Sequence, residues 1–109
     1  MSRSINKKPR AERDLIEHFA FIAKDKIAPA DRFLHAAQRT IENLAVMPGI
    51  GRAWNSEYPR HAGIHVCPMP PPYRKYLIFY RYDDSFLEIL TIIHGARDLD
   101  NVMADVEPE

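Results

Sequence analysis

Cysteine is nearly absent from this chain. Cys67 stands alone among 109 residues, so no intramolecular disulfide can form, and a reducing cytoplasm is the expected compartment. Glycine is scarce too: four residues, at 49, 51, 63 and 95, build no glycine-rich phosphate loop. No Ser-His-Asp pattern and no zinc-finger spacing is present, and no small-molecule cofactor or metal is expected. No apolar run approaches the ~18–20 residues needed to cross a bilayer. The stretch from Met1 to Arg13 is basic and polar with no apolar run behind it, so no secretory signal is expected. Net charge is lacking as well: 15 Lys and Arg balance 15 Asp and Glu, which argues against non-specific nucleic-acid binding.

What is there fits one compact domain, with 46% hydrophobic residues and enough length to bury roughly two-thirds of its unfolded surface. The charge is unevenly spread. Arg52 to Tyr82 carries five basic side chains (Arg52, Arg60, Arg74, Lys75, Arg81) against Glu57 alone, and Asp83 to Glu109 carries eight acids against Arg97 alone. A basic sheet surface beside an acidic tail suits an acidic partner.

Ser4 to Lys8 reads as a short strand before Pro9, which suits the first turn of a helix. Leu15, Phe19 and Ile22, widened by Ile16, Ala20 and Ala23, repeat at helical spacing and predict an amphipathic helix from Pro9 to Lys26. Pro29 opens a second helix, on which Phe33, Ala37, Ile41 and Leu44 form the stripe, and Pro48-Gly49-Ile50-Gly51 ends it. So short a connection predicts an antiparallel helical hairpin. Ile64 to Cys67, Lys75 to Tyr82 and Phe86 to Ile93 read as strands. On the last, Leu87, Ile89, Thr91 and Ile93 share a face that should meet the helices, and the face ending in His94 should be half exposed. The expected architecture is α+β: a helical hairpin on a small antiparallel sheet of three or four strands. Asp98 to Ala104 is expected to form a loose helical turn, and the acidic tail, about 104–109, to fray.

Tyr76-Leu77-Ile78-Phe79-Tyr80-Arg81 followed by a strand ending in His94-Gly95-Ala96-Arg97-Asp98 resembles the last hairpin of the RelE/ParE superfamily, the toxins of bacterial type II toxin–antitoxin systems. It is most similar to the ParE branch. Met47-Pro48-Gly49-Ile50-Gly51-Arg52 resembles the Pro-x-x-Gly-Arg link after the family's second helix. The prolines from Pro68 to Pro72 depart from the family's tight turn and leave the register of the first two major strands open. The resemblance implies a cytoplasmic toxin that poisons DNA gyrase by protein–protein contact and is neutralised by a cognate antitoxin in a hetero-oligomer. RelE-like relatives instead cut messenger RNA on the ribosome, and a non-toxic member that only binds antitoxin would look the same.

A metal-independent nuclease would need a base, an acid and cations for the phosphorane. Arg97 falls where RelE-like enzymes bind phosphate; Arg81 and His94 are the other candidates. The tyrosine expected six residues past the arginine is replaced by Met103, which transfers no proton. As a partner-binding surface, Arg81, His94 and Arg97 lead, with Arg60, Arg74 and Trp54 behind them. Trp54 also reads as a lid over the core, Cys67 as a small buried hydrophobe, and His18 and His35 as surface or boundary residues. His61 and His65 have metal-like spacing but no third ligand nearby.

Overall fold

A computed structural model describes residues 2–56, 58–95, 99–104 and 106. Strand β1 (Ser4–Lys7) leads into helix α1 (Pro9–Ala23), with Pro9 in its first turn. Helix α2 (Ile27–Val46) returns alongside it. Pro29 lies inside the first turn of α2, where the missing N–H has no intrahelical partner to lose. A 3-10 turn (Pro48–Ile50) then feeds β2 (Arg52–Ala53), β3 (His65–Pro68), β4 (Tyr76–Tyr82), β5 (Phe86–His94) and helix α3 (Leu99–Ala104).

The sheet has five strands in the order β1-β5-β4-β3-β2, and β1 runs parallel to β5. Both features correct the expected antiparallel sheet of three or four strands. Past Lys8, whose N–H bonds to the Ile89 carbonyl, α1 runs on beside the second half of β5, and α2 brings the chain back to the start of β1, where the Arg3 N–H meets the Ala45 carbonyl. From β2 onward each strand reverses the one before it, which leaves β5 pointing the same way as β1. Strand β2, two residues long, is too short to leave a sequence pattern. The register left open by the prolines is His65↔Tyr80 through Pro68↔Leu77, closed by the Met69 N–H on the Tyr76 carbonyl at 2.9 Å.

Phe33, Ala37, Ile41 and Leu44 of α2 are all buried and pack with Tyr76, Ile78, Tyr80, Leu87, Ile89 and Ile92 in a core between the helices and the sheet. Removing a side chain such as Phe33 from such a site typically costs ~3–5 kcal/mol. On α1 the stripe is narrower than its sequence suggested. Leu15 and Ile22 touch the core, whereas Ile16 is 68% exposed.

The predicted face of β5 holds only for its first half. Phe79 pairs with Thr91 and Tyr80 with Ile89, leaving Leu90 as an extra residue, a β-bulge. Beyond it the alternation slips: Ile92 joins the helix-side core, and Leu90 and Ile93 enter a second core on the opposite face. That second core contains Ile64, Val66, Phe79, Met103 and Val106, with Trp54, Leu77, Leu99 and Val102 at its margin. The face expected to be half exposed is therefore covered. Val106, assigned to the fraying tail by sequence, is 1% exposed.

The link after α2 is fixed by one phenol. Tyr80 donates to the Pro48 carbonyl at 2.5 Å and accepts from the Gly51 N–H at 3.2 Å. A Cβ on Gly51 would run into the Tyr80 hydroxyl and come within 2.7 Å of the Val66 carbonyl. The φ of Gly51 is −78°, open to any residue, so the demand is for space and not for backbone freedom. Gly49 has nothing within 4 Å of its missing Cβ.

Gly51→Ala should therefore destabilise by ~1–3 kcal/mol, an overpacking penalty, while Gly49→Ala stays within ~0.5 kcal/mol; urea unfolding of the two variants checks the contrast. Burial pushes the Tyr80 phenol from 10.0 up to about 12, against the opposing Gly51 N–H bond. Below the ordinary value both folded and unfolded chains keep the proton. Above it the unfolded chain releases the proton first, so stability should fall as pH rises from 10.0 through about 12. Tyr80→Phe should lose the contribution of this phenol to that slope, measured by unfolding across the same window.

Candidate partner-binding site

The end of β5 that carries His94 is held by a device that spans two elements. Strand β1 pairs with β5 only over Phe86 to Ile89. Past that point the outer edge of β5 would present unpaired backbone groups, which are costly when removed from water. Helix α1 supplies the missing partners from one face. Asp14 Oδ2 accepts from the Ile92 N–H at 3.0 Å and from the Thr91 hydroxyl at 2.5 Å. One turn later, His18 Nε2 donates to the Ile92 carbonyl at 2.8 Å. These two residues, four apart on a helix, act as one rung of a strand ladder. Thr91 is thereby satisfied although fully buried.

Just beyond that rung, Tyr76 lies among the rings of His18 (4.9 Å), Phe33 (4.8 Å) and His94 (5.0 Å, perpendicular). Burial, with Tyr73 adding to it, holds the Tyr76 phenol above its ordinary value. Tyr73 in turn donates to the Pro29 carbonyl at 2.9 Å, pinning the proline loop to α2. Gly95 follows His94 with its N–H on the Lys75 carbonyl. Its φ is not positive, and a Cβ there would meet that carbonyl at 3.2 Å. Close approach, and not a left-handed backbone, is what this glycine provides.

The candidate residues do not form one cluster. His94 stands opposite Tyr76, beside exposed Arg74 and Lys75. Arg81 stands opposite Glu88 at the other end of the hairpin. Five residues of strand separate the two ends, roughly 17 Å. The faces differ too: Tyr76, Ile78 and Tyr80 enter the helix-side core, and Leu77 and Phe79 the other, so Arg81 projects away from the helices and His94 toward them. Arg81 borders a hollow with Tyr82, Asp83, Phe86 and Glu88. Pairing outward from Asp83-Asp84-Ser85 would already have shown this separation in the sequence.

Arg60 and Trp54 belong to a third region, over the second core. The Arg60 guanidinium lies 4.6 Å from the Tyr58 ring centroid and donates to the Ala104 carbonyl, fastening α3. Trp54 packs edge-on against Phe79 at 5.2 Å, in the lid position. Met103 is buried beneath it in the same core. Arg97 and its neighbours Ala96 and Asp98 lie outside the described residues. Cys67 is buried, which raises its thiol pKa. His65 stacks on Tyr80 at 5.7 Å, and His61 is buried against Ser56, so the histidine pair is taken up in packing. Among the described residues, no three His, Cys, Asp or Glu side chains are grouped to hold a metal ion, and no helix is long and apolar enough to cross a membrane. Sequence reasoning missed Asp14, His18 and Tyr80, whose partners are backbone groups distant in the chain.

A helical hairpin laid on one face of a sheet whose last strand runs into a His-Gly exit defines the RelE/ParE-like toxin fold. The chain matches the family model of the ParE toxin of the type II toxin–antitoxin system parDE over residues 5–99, and it belongs to that family. Its fold is similar to a chain of the chromosomal ParDE toxin–antitoxin system of P. aeruginosa, with a TM-score of 0.66 at 16% identity, covering 85% of this chain and 96% of that one. No curated protein sequence matches significantly. Membership of a toxin–antitoxin family implies an antitoxin as partner.

Asp14→Ala should cost ~1–3 kcal/mol, because it strands a buried N–H and a buried hydroxyl together. Hydrogen exchange should accelerate at the Ile92 amide ahead of the amides of β4.

Proposed function

We propose that this protein is the toxin of a type II pair, that it inhibits DNA gyrase by protein–protein contact, and that its cognate antitoxin neutralises it. The gyrase target rests on the family. The observation that carries the contact mechanism is the separation of Arg81 from His94. Roughly 17 Å of strand and opposite faces keep the two from acting on one phosphate, where an acid or base must lie within hydrogen-bond reach of its proton. Met103, at the position of the nuclease tyrosine, is buried in apolar packing. Contact surfaces have no such requirement, because cations and aromatics spread over a face each contribute on their own.

On this reading the partner-binding residues fall into two groups. His94 and Arg74 belong to the strand-exit end and Arg81 to the turn end, and Arg97 is proposed as a contact from the family resemblance alone. Arg60 and Trp54 act by holding the second core in shape. The antitoxin lies against the helical hairpin or along the sheet, where apolar anchors and strand edges are available.

Induced expression in a bacterial host without antitoxin, following DNA breakage and translation in one culture, tests the target. Double-strand breaks with early translation intact are expected. Early translation arrest without breaks would replace gyrase with the ribosome, and normal growth would leave an antitoxin-binding module. In antitoxin titrations, the effects of Arg81→Ala and His94→Ala should add within ~0.5 kcal/mol, as for distant independent sites. Strong coupling between them would contradict the two-group assignment.

A further inference from the structure

Helix α2 and the proline connection between β3 and β4 enclose a groove. One wall carries Arg32, Ala36 and Arg39, the other Pro70, Pro71 and Pro72, around a hollow of about 700 Å³. A second hollow of about 210 Å³ adjoins it and shares Thr40, Asn43 and Pro70. From Arg32 to Asn43 the helix wall is roughly 16 Å long. The proline wall is fixed at both ends. Met69, just before it, is 1% exposed and bonded to Tyr76. Tyr73, just after it, donates its hydroxyl to the Pro29 carbonyl and its backbone N–H to the Pro70 carbonyl, both at 2.9 Å. The groove is therefore formed before anything enters it.

Its charge is one-sided. Arg32, Arg39 and Asn43 follow i, i+7, i+11 spacing and share one side of α2. Both arginines are exposed, and among the described residues neither has a hydrogen-bond or ion-pair partner. Glu42 is the only acid among the described lining residues, and it is drawn the other way. It accepts from the Gln38 amide at 3.2 Å, and the Gln38 carbonyl accepts from Lys7 of β1 at 3.4 Å, on the side of the helix nearer β1. The opposite wall cannot extend the sheet. Pro68 ends β3, and Pro70 to Pro72 have no N–H to give to a ladder. An occupant must be held by its side chains: carboxylates on the arginines, where charge-assisted bonds are the strong ones, and apolar groups against Ala36 and the proline rings.

We propose that this groove is a docking site for a short acidic segment of a partner protein, about five residues in extended form. On the reading above that partner is the antitoxin; its identity rests on that reading, and the groove does not. A nucleic-acid strand fits less well. The chain carries no net charge, and the Tyr73 ring is taken up against Phe33 at 5.5 Å and Tyr76 at 6.4 Å, so the groove has no aromatic platform for bases. Acids alternating with apolar residues match the two kinds of contact that the walls provide.

The full chain is titrated with a capped Glu-Leu-Glu-Glu-Leu-Glu peptide, its lysine counterpart and an oligothymidylate, followed by nitrogen–proton correlation spectra and calorimetry. The acidic peptide should shift the amides of Ala36, Thr40, Asn43 and Tyr73 saturably, and the lysine peptide should not. Arg32→Gln combined with Arg39→Gln should weaken binding about tenfold, and Glu42→Gln should tighten it about two- to fivefold, a gain that misfolding cannot produce. Antitoxin titrations should move in the same directions. Growth arrest on induction without antitoxin tests the toxin reading separately and should be the same for the wild type and these variants. No shift with the acidic peptide, an oligothymidylate that binds in its place, shifts that follow protein concentration alone and so report a second copy, or a Glu42→Gln that binds no tighter would overturn the proposal. Weakened peptide binding beside unchanged antitoxin affinity would overturn the assignment to the antitoxin.

Discussion

Strand β5 must be satisfied along both edges and both faces, and the rest of the structure is arranged to do so. Its inner edge is taken by β4 from Leu87 to His94, interrupted at the bulged Leu90. Its outer edge is divided: β1 covers the first half, and Asp14 and His18 cover the backbone of Ile92. The point of division coincides with the bulge at Leu90, where the strand changes which side chains it gives to each face. Helix α1 is thus both a packing layer and a substitute for the missing part of an edge strand. Its position is fixed by directional bonds in addition to non-directional apolar contact.

The N-terminus is locked to the same framework. Arg3 reaches the Asp83 carbonyl and the Ala45 carbonyl at the end of α2, with its guanidinium 5.5 Å from the Tyr82 ring centroid. Cationic donors at a helix C-terminus satisfy orphan carbonyls and suit the dipole. Lys8 adds an ion pair to Glu88 at 3.6 Å on partly buried side chains. Basic side chains spent in this way give the interior framework its anchors, which leaves Arg74 and the lysine beside it exposed at the strand-exit end.

Much of this was legible in the sequence, for identifiable reasons. The α2 stripe of Phe33, Ala37, Ile41 and Leu44 is a clean helical period with no competing signal, and all four residues are buried. The two long strands are rich in aromatic and β-branched residues and bounded by turn residues. The bulge was not legible, because Leu90 is as apolar as its neighbours and period-two reading has no way to skip it. The parallel β1 was missed because its direction depends on α1 running on beside β5 instead of turning back, which no periodicity records. Asp14 and His18 read as ordinary polar residues of an amphipathic helix, since their partners are more than 70 residues away. The candidate residues can be named one by one from the sequence, but the distribution of the described ones over three regions depends on register and face.

The pairing of β1 with β5 also sets an order of events. The first strand of the chain has no ladder to join until the last strand exists, and the Arg3 bond to Asp83 spans 80 residues. The second core waits even longer, for Met103 and Val106. Such distant contacts delay closure of a fold. While the ribosome still holds β5, the helical hairpin emerges without the sheet that covers its apolar stripe. The finished surface, and any activity that depends on it, begins only once β5 and the second core are in place, and until then the chain presents its interior to whatever is nearby.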